Sequence, residues 1–275
     1  MNSTSSKSLL LLSESTVESL LKCYDYPHPE KRDEIIEGYD KNHVLRTAKM
    51  CTALAIHLGH DEKLVRKYQI ACLLHDLGRA GLDQKLFGKI WSWAKTHEIP
   101  TRPLEWRNKY PDTQYGYETE AFWDMHSSKL NKIGIKNPNW AKEQVEMRLG
   151  YARRLSRLIK KIKPELKSQN IEWTDWMEKV ILYYYYPEKM DNAPNWVREF
   201  GEILVACEQL EAYSNRTRGK DYYNRGNESF LEAFDYLDNL KNEDRISNKV
   251  LSALHCLIAK GSFDDILKEA RNGYI

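Results

Sequence analysis

The sequence lacks any apolar run that approaches the roughly 20 residues of a membrane-spanning helix. It also lacks an excess of charge, because 42 basic and 40 acidic residues leave a formal net charge of +2. Such a balance gives no global attraction to nucleic acid or to a membrane surface. The cysteines are odd in number and scattered: Cys23, Cys51, Cys72, Cys207 and Cys256. This usage favours reduced thiols over a disulfide framework or a zinc knuckle. We therefore expect a cytoplasmic protein that binds neither a membrane nor nucleic acid.

The chain contains 275 residues, of which 41% are hydrophobic and 30% are charged. These fractions are ordinary for a globular protein and far from those of a disordered chain. The length suits one large domain or two small ones. Leu9–Leu12 is a leucine run behind the serine-rich residues Met1–Ser8, and it is too short for a secretory signal core. We expect residues 1–14 to form a disordered N-terminus.

Helical periodicity covers most of the remaining chain, and no segment has a confident strand pattern. We find no repeat and no low-complexity linker, so the sequence predicts one all-α domain, a multi-helix bundle over residues 15–275. The predicted helices are Ser15–Lys22, Glu30–Glu37, Asp40–Gly59, Glu62–Leu77, Lys85–Thr96, Thr113–Met125, Trp140–Lys161, Trp173–Tyr186, Asn195–Tyr213, Glu228–Leu240, Ser247–Lys260 and Phe263–Arg271.

An apolar run that begins at Ile70 ends in the doublet His75-Asp76, and Gly78 follows two residues later. A buried helix explains the run, and a glycine is typical of the point where a helix stops. Adjacent side chains at a helix end differ by about 100° around the axis, so both can lean toward one point beyond the last turn. Imidazole nitrogen with carboxylate oxygen suits a divalent cation. The alternative is that the doublet only caps the helix.

Two more candidate ligands lie elsewhere in the chain. His43 falls in the first turn of one helix and His75 at the end of the next, so an antiparallel pair brings both to the same end. Glu208 interrupts an apolar helix, and a buried carboxylate requires a partner. A metal ion is one such partner, and an arginine such as Arg46 or Arg216 is the other.

These residues, His43, His75, Asp76 and Glu208, resemble the ligand pattern of the HD superfamily of metal-dependent phosphohydrolases. The resemblance runs from about Tyr39 to Tyr223, with further helices at residues 226–272, and is closest to the HD-GYP branch. It rests on His43-Val44-Leu45-Arg46-Thr47-Ala48, His75-Asp76-Leu77-Gly78-Arg79-Ala80-Gly81, Pro187-Glu188-Lys189-Met190-Asp191 and Glu208-Gln209-Leu210-Glu211-Ala212-Tyr213-Ser214. The resemblance implies a divalent metal, Mn, Mg, Fe, Co or Ni.

The sequence also departs from that branch. Glu208 stands where the family has Asp, Tyr186 and Pro187 replace its paired histidines, and Asn192-Ala193-Pro194 replaces its Gly-Tyr-Pro signature. A middle histidine ligand is His97 or His126, and either is alternatively a surface residue.

The resemblance implies hydrolysis of a nucleotide or another small phosphate ester, with Asp76 as metal ligand and water-orienting group. Arg79 is expected to bind a phosphoryl oxygen, and Arg216 and Arg218 are further candidates; the alternative for all three is a salt bridge. Tyr183–Tyr186 either stacks a base or belongs to the core.

The basic end of the Trp140–Lys161 helix either meets phosphates or is a solvated face. Its charged residues are Arg153, Arg154, Arg157, Lys160, Lys161 and Lys163. Two functions of other classes stay open: a di-iron oxygenase of the HD type, and a catalytically degenerate signalling or scaffold protein.

Overall fold

The computed structural model describes residues 9–29, 31, 33–215 and 230–272. Within these residues the chain forms thirteen α-helices and one two-stranded ribbon, so the predicted all-α class is confirmed. The helices are α1 (Glu14–Lys22), α2 (Lys41–His57), α3 (Glu62–Leu73), α4 (Gln84–Thr96), α5 (Pro103–Lys109), α6 (Glu118–Lys132), α7 (Pro138–Leu149), α8 (Tyr151–Ser168), α9 (Asp175–Leu182), α10 (Asn195–Ser214), α11 (Phe230–Asn242), α12 (Asn248–Ala259) and α13 (Asp264–Asn272). None of these described helices is both long and apolar enough to cross a bilayer.

The predicted helix at Glu30–Glu37 is wrong. The chain there contains strand β2 (Ile35–Ile36), which pairs antiparallel with β1 (Tyr26–Pro27). The backbone N–H of His28 donates to the carbonyl of Glu34 at 2.8 Å and closes the ribbon. Two β-branched isoleucines favour an extended backbone once a partner strand is available, which explains why a ribbon replaces the predicted helix.

The predicted helix Trp140–Lys161 is two helices, α7 and α8, separated at Gly150. A Cβ atom on Gly150 would lie 2.6 Å from Cγ of Glu146 and 2.7 Å from Oγ1 of Thr119. Only glycine permits this close approach, so the break is a packing requirement and cannot be seen in the helical periodicity.

Helices α2, α3 and α10 pack side by side in the larger of two hydrophobic clusters. The predicted apolar face of α2 is confirmed, because every one of its members is fully buried: Val44, Ala48, Cys51, Leu54 and Ala55. At the other end of these helices Tyr68 of α3 stacks on Phe200 of α10 with ring centroids 4.1 Å apart. All five cysteines are free thiols.

The predicted disordered N-terminus falls partly on residues 1–8, which lie outside the described residues. Leu9–Leu12 pack against the larger cluster. The backbone N–H groups of Leu11 and Leu12 both donate to Oε1 of buried Gln69 at 3.0 Å. Ser13 caps α1 by accepting from the backbone N–H of Thr16.

A second, smaller hydrophobic cluster lies among α4, α5, α6 and α7. It is rich in aromatic rings, and Trp91, Trp106 and Phe122 are fully or almost fully buried in it. Aromatic side chains contribute much of the buried area in such small cores. The cluster contains no residue of α2, α3 or α10, so it is a core separate from theirs.

Candidate metal centre

The His-Asp doublet lies in a turn just beyond α3. Helix α3 ends at Leu73, four residues earlier than predicted, and a 3-10 turn occupies Leu77–Arg79. Two tyrosine hydroxyls hold this turn, because Tyr24 donates to the carbonyl of Leu73 at 2.8 Å and Tyr151 donates to that of His75. Burial, and next the charge of Asp76, raises the pKa of both phenols, so both stay protonated donors.

Gly78 makes this turn possible for a reason other than helix termination. A Cβ atom there would lie 2.4 Å from the Tyr151 ring, so only glycine lets the ring lie against the turn. The backbone of Gly78 does not adopt a positive φ, whereas that of Gly81 does, at +79°. The left-handed conformation that glycine favours is therefore at Gly81, three residues beyond the predicted stop.

The two histidines of the pattern meet at one end of the α2–α3 pair. His75 bonds the carbonyl of Cys72 through Nδ1 at 2.7 Å. His43 bonds the carboxylate of Glu211 through Nδ1. Their Nε2 atoms lie 3.3 Å apart, and both side chains are buried. The antiparallel arrangement inferred from the sequence is thus the arrangement found.

The hydrogen bonds of the Nδ1 atoms fit a cation between the rings. A carbonyl or carboxylate oxygen only accepts, so each Nδ1 carries a proton, and Nε2 of the neutral tautomer offers a lone pair. At 3.3 Å the two Nε2 atoms are close enough for one cation to contact both. Two nitrogen ligands about 2.1 Å from one metal ion, at about 90–110°, would lie about 3.0–3.4 Å apart.

Carboxylates complete this group. Oδ2 of Asp76 lies 3.8 Å from Nε2 of His43 and 4.0 Å from Nε2 of His75. The ligand atoms of His43, His75 and Glu208 all lie within 4.8 Å of one another. Among the described residues these three form the one group of three or more His, Cys, Asp or Glu side chains with metal-binding spacing. The structure therefore groups Glu208 with the two histidines and places Asp76 beside both imidazoles.

Sequence reasoning missed the residue that orients His43. Glu211 is fully buried on α10, one turn beyond Glu208. Besides His43 it binds Arg46, with Nε and Nη2 2.7 and 2.6 Å from Oε1, and Asn215, 3.2 Å from Oε1. A carboxylate on the distal nitrogen of a histidine fixes the ring and raises its basicity as a ligand. The signal in the sequence was spacing. Glu208 and Glu211 on α10 are three residues apart, as are His43 and Arg46 on α2, so each pair lies on one face of its helix.

Arg79, expected to bind phosphate, lies in an ion-pair network beside the doublet. Its side chain is buried, with Nη1 3.4 Å from Oδ2 of Asp76 and Nε 3.3 Å from Oδ2 of Asp40. Asp40 is itself the residue before α2, three positions ahead of His43. The guanidinium therefore holds the end of α3 against the start of α2.

The other candidates lie apart from this group. His97 is exposed at the C-terminal cap of α4, and its Nδ1 bonds the carbonyl of Trp93 at 2.9 Å. His126 is buried among aromatic rings of the smaller cluster. Arg216 and Arg218 lie outside the described residues. Tyr183 and Tyr186 are buried in the larger cluster, as the core interpretation predicted.

Comparison with known families gives a match over part of the chain. A match to the HD domain family covers residues 41–121. The HD segment includes His43, the doublet and Arg79, and it ends before α10. The match supports the HD superfamily, most of whose members are metal-dependent hydrolases. No curated protein and no solved structure matches the chain.

Proposed function

We propose that this chain is a metal-dependent phosphohydrolase that acts on a nucleotide or another small phosphate ester. The observation that carries the proposal is the approach of the two Nε2 atoms to 3.3 Å beside Asp76 and Glu208. The HD match over residues 41–121 supports the same chemistry. Within the superfamily we infer a divergent HD-GYP-like branch, supported by the sequence around Pro187–Asp191 and Glu208–Ser214.

The residues present fit a divalent cation, Mn, Mg, Fe, Co or Ni. His43 and His75 would hold it through Nε2, with Asp76 and Glu208 supplying oxygen. When bound, such a cation lowers the pKa of a water ligand from about 15.7 toward about 7 and offsets charge on phosphoryl oxygens. Asp76 is then placed to orient the attacking water.

Arg79 has a supporting part in this proposal. Its guanidinium already forms ion pairs with Asp76 and Asp40, so it would fix the carboxylate of Asp76 and add a positive charge beside the phosphoryl group. Glu211 and Arg46 act further out, where they keep the Nε2 atom of His43 directed at the cation.

The test is metal analysis of the purified chain together with an activity screen. The protein is stripped with EDTA, reloaded with each metal and assayed on phosphomonoesters, phosphodiesters, nucleotides and cyclic dinucleotides. The double variant His75→Ala, Asp76→Ala is expected to lose metal and turnover together, while His97→Ala keeps both. Normal hydrolysis by the double variant would show that the site is misassigned.

The same screen separates the other two functions. Bound metal without turnover of any phosphate ester favours a signalling or scaffold protein. Two irons per chain with the absorption of a coupled di-iron centre favours an oxygenase, which needs more ligands than the four grouped here.

A further inference from the structure

A cavity of about 540 Å³ opens beside the first turns of α8. Four cationic side chains line it, Arg153, Arg157, Lys160 and Lys189, together with the rings of Tyr115 and Tyr186 and the carboxylate of Glu178. None of the four residues of the candidate metal centre lines it. We propose that this cavity binds a nucleoside phosphate at a site separate from the metal centre.

The charges of the wall favour an anion. Arg153 is held by Glu120 at 3.0 and 2.9 Å, and Arg157 by Glu146 at 3.0 and 2.6 Å, so both arginines are fixed from outside the cavity. Lys160 and Lys189 form no ion pair with any described residue, and they flank the lone carboxylate of the wall, Glu178. Two ammonium groups beside two fixed guanidinium groups are a typical receptor for phosphate oxygens.

The aromatic side of the cavity gives a base a surface to contact. The rings of Tyr115 and Tyr186 lie 6.2 Å apart, and Arg107 packs against them at 4.6 and 5.8 Å from their centroids. Arg107 and the hydroxyl of Tyr115 both bond Glu188, at 3.1 and 3.2 Å, which fixes the wall. Tyr186 is buried behind this wall, whereas the ring of Tyr115 is half exposed and can stack on a base. An inorganic anion makes no such stacking contact.

Glu178 adds a hydrogen-bond acceptor to this wall. Burial raises the pKa of its carboxyl, and the group lies among cations and aromatic rings. A carboxylate can accept from the exocyclic N–H groups of a base, a contact that a bare phosphate cannot make. The volume also falls within the range of about 300–1,000 Å³ for small-molecule sites. Size, charge and aromatic surface thus agree on a mononucleotide.

One hydrogen bond joins the wall of the cavity to the doublet. Tyr151, between the lining residues Gly150 and Ala152, donates to the carbonyl of His75. Arg154, the fully buried member of the basic helix end, donates to the carbonyls of Gly78 and Ala80 at 2.8 and 2.9 Å. The basic residues of α8 are therefore divided, since Arg154 supports the turn while Arg153, Arg157 and Lys160 face the cavity.

The experiment is calorimetric titration of the full chain in EDTA, so that a metal centre cannot hold the phosphates. The probes are ATP, GTP, inorganic pyrophosphate and guanosine. We expect at least one nucleotide to bind, and the double variant Lys160→Gln, Lys189→Gln to weaken it about tenfold or more. The control removes two exposed lysines of α8 that do not line the cavity, Lys163→Gln and Lys167→Gln, and is expected to bind normally.

Two further measurements decide the class of ligand and the place of binding. Tyr115→Ala should weaken nucleotide binding but not pyrophosphate binding, and His43→Ala with His75→Ala should change neither. Absence of nucleotide binding in EDTA overturns the proposal, as does equal weakening by both lysine pairs. Pyrophosphate binding as tight as that of the nucleotides also overturns it, because the tyrosine side of the cavity would then contribute nothing to affinity. Loss of hydrolysis alone leaves these outcomes unchanged, so the two proposals fail separately.

Discussion

Two buried histidines of this chain have opposite surroundings. His43 is oriented through Nδ1 by Glu211 and meets Nε2 of His75 at 3.3 Å. His126, buried to a similar degree, packs among Trp93, Trp106 and Phe122 at ring distances of 5.2–6.3 Å. Neither ring nitrogen of His126 has a hydrogen-bond partner among the described residues.

The difference teaches what makes a buried histidine a candidate ligand. Burial is common to both, so burial alone decides nothing. His43 has a partner that fixes its tautomer and a second imidazole that converges on the same point, which is the arrangement that metal sites use. His126 packs against aromatic rings and has no hydrogen-bond partner among the described residues, so it serves packing. Four predictions test this comparison, ordered from the largest expected effect to the smallest.

The largest effect is expected when each of the two histidines is removed. His43→Ala should abolish stoichiometric metal binding, because one of two nitrogen ligands is lost, while His126→Ala should leave the metal content at its original value. Elemental analysis after dialysis against Mn²⁺ measures both. Equal metal content in the two variants would remove the distinction on which the proposed site depends.

Glu211→Gln should weaken metal binding about 10–100-fold, the usual cost of losing a carboxylate that orients a ligating histidine. Arg46 would also lose the buried one of its two charge partners and keep only Glu269 at 3.4 Å, so some stability is lost as well. The matched control is Glu202→Gln on the same helix, a buried carboxylate 3.2 Å from Nε of Arg198 with no histidine partner.

Glu202→Gln is expected to lower stability without changing metal affinity. Titration with Mn²⁺, followed by denaturant unfolding of the same samples, separates the two effects. If both variants lose affinity in proportion to lost stability, Glu211 is a structural residue and not a positioning one.

Gly78→Ala should destabilise the fold by about 1–3 kcal/mol, the usual cost of an added methyl group in a packed site. The added Cβ would otherwise lie 2.4 Å from the Tyr151 ring, so the doublet turn must move. Gly59→Ala is the control, because nothing lies within 4 Å of a Cβ there, and its cost comes only from the positive φ of +86°. Metal affinity should fall in the first variant and stay constant in the second.

The smallest effect concerns pH and His126. Burial, and next Lys129 and His97, lowers its pKa from the ordinary value of 6.5. The folded state therefore takes up this proton less readily than the unfolded chain, and stability falls as the pH drops below 6.5.

Replacement of His126 by Leu removes that contribution, so the unfolding free energy of the variant should fall less between about pH 7.5 and pH 5.5 than that of the original chain. Denaturant unfolding at several pH values measures the difference, with exposed His57→Gln as control. An unchanged slope in the His126 variant would mean that His126 is not held neutral by its surroundings.

The features that the sequence predicted depend on spacing between residues that are close along the chain or on the order of residue types. The apolar face of α2 follows from helical spacing, and the order His43, His75-Asp76, Glu208 carries the ligand pattern. The end of α3 was placed four residues too late, because the turn that replaces it is held by Tyr24 and Tyr151 from distant parts of the chain.

The remaining features depend on packing between residues far apart in sequence. Glu211 contacts His43 across 168 positions and Arg46 across 165, so the three-residue spacing on each helix was the one sequence signal for it. Gly150 breaks a continuous helical pattern because Thr119 approaches it from another helix. The ribbon at Ile35–Ile36 likewise needs its partner strand.

The most direct test of the central claim is a crystal structure of the Mn²⁺-loaded chain with anomalous scattering measured at the manganese edge. We expect one strong anomalous peak about 2.2 Å from Nε2 of both His43 and His75, with an oxygen of Asp76 or Glu208 also bound. A peak at any other place, or ordered His43 and His75 rings with no peak between them, would contradict the claim.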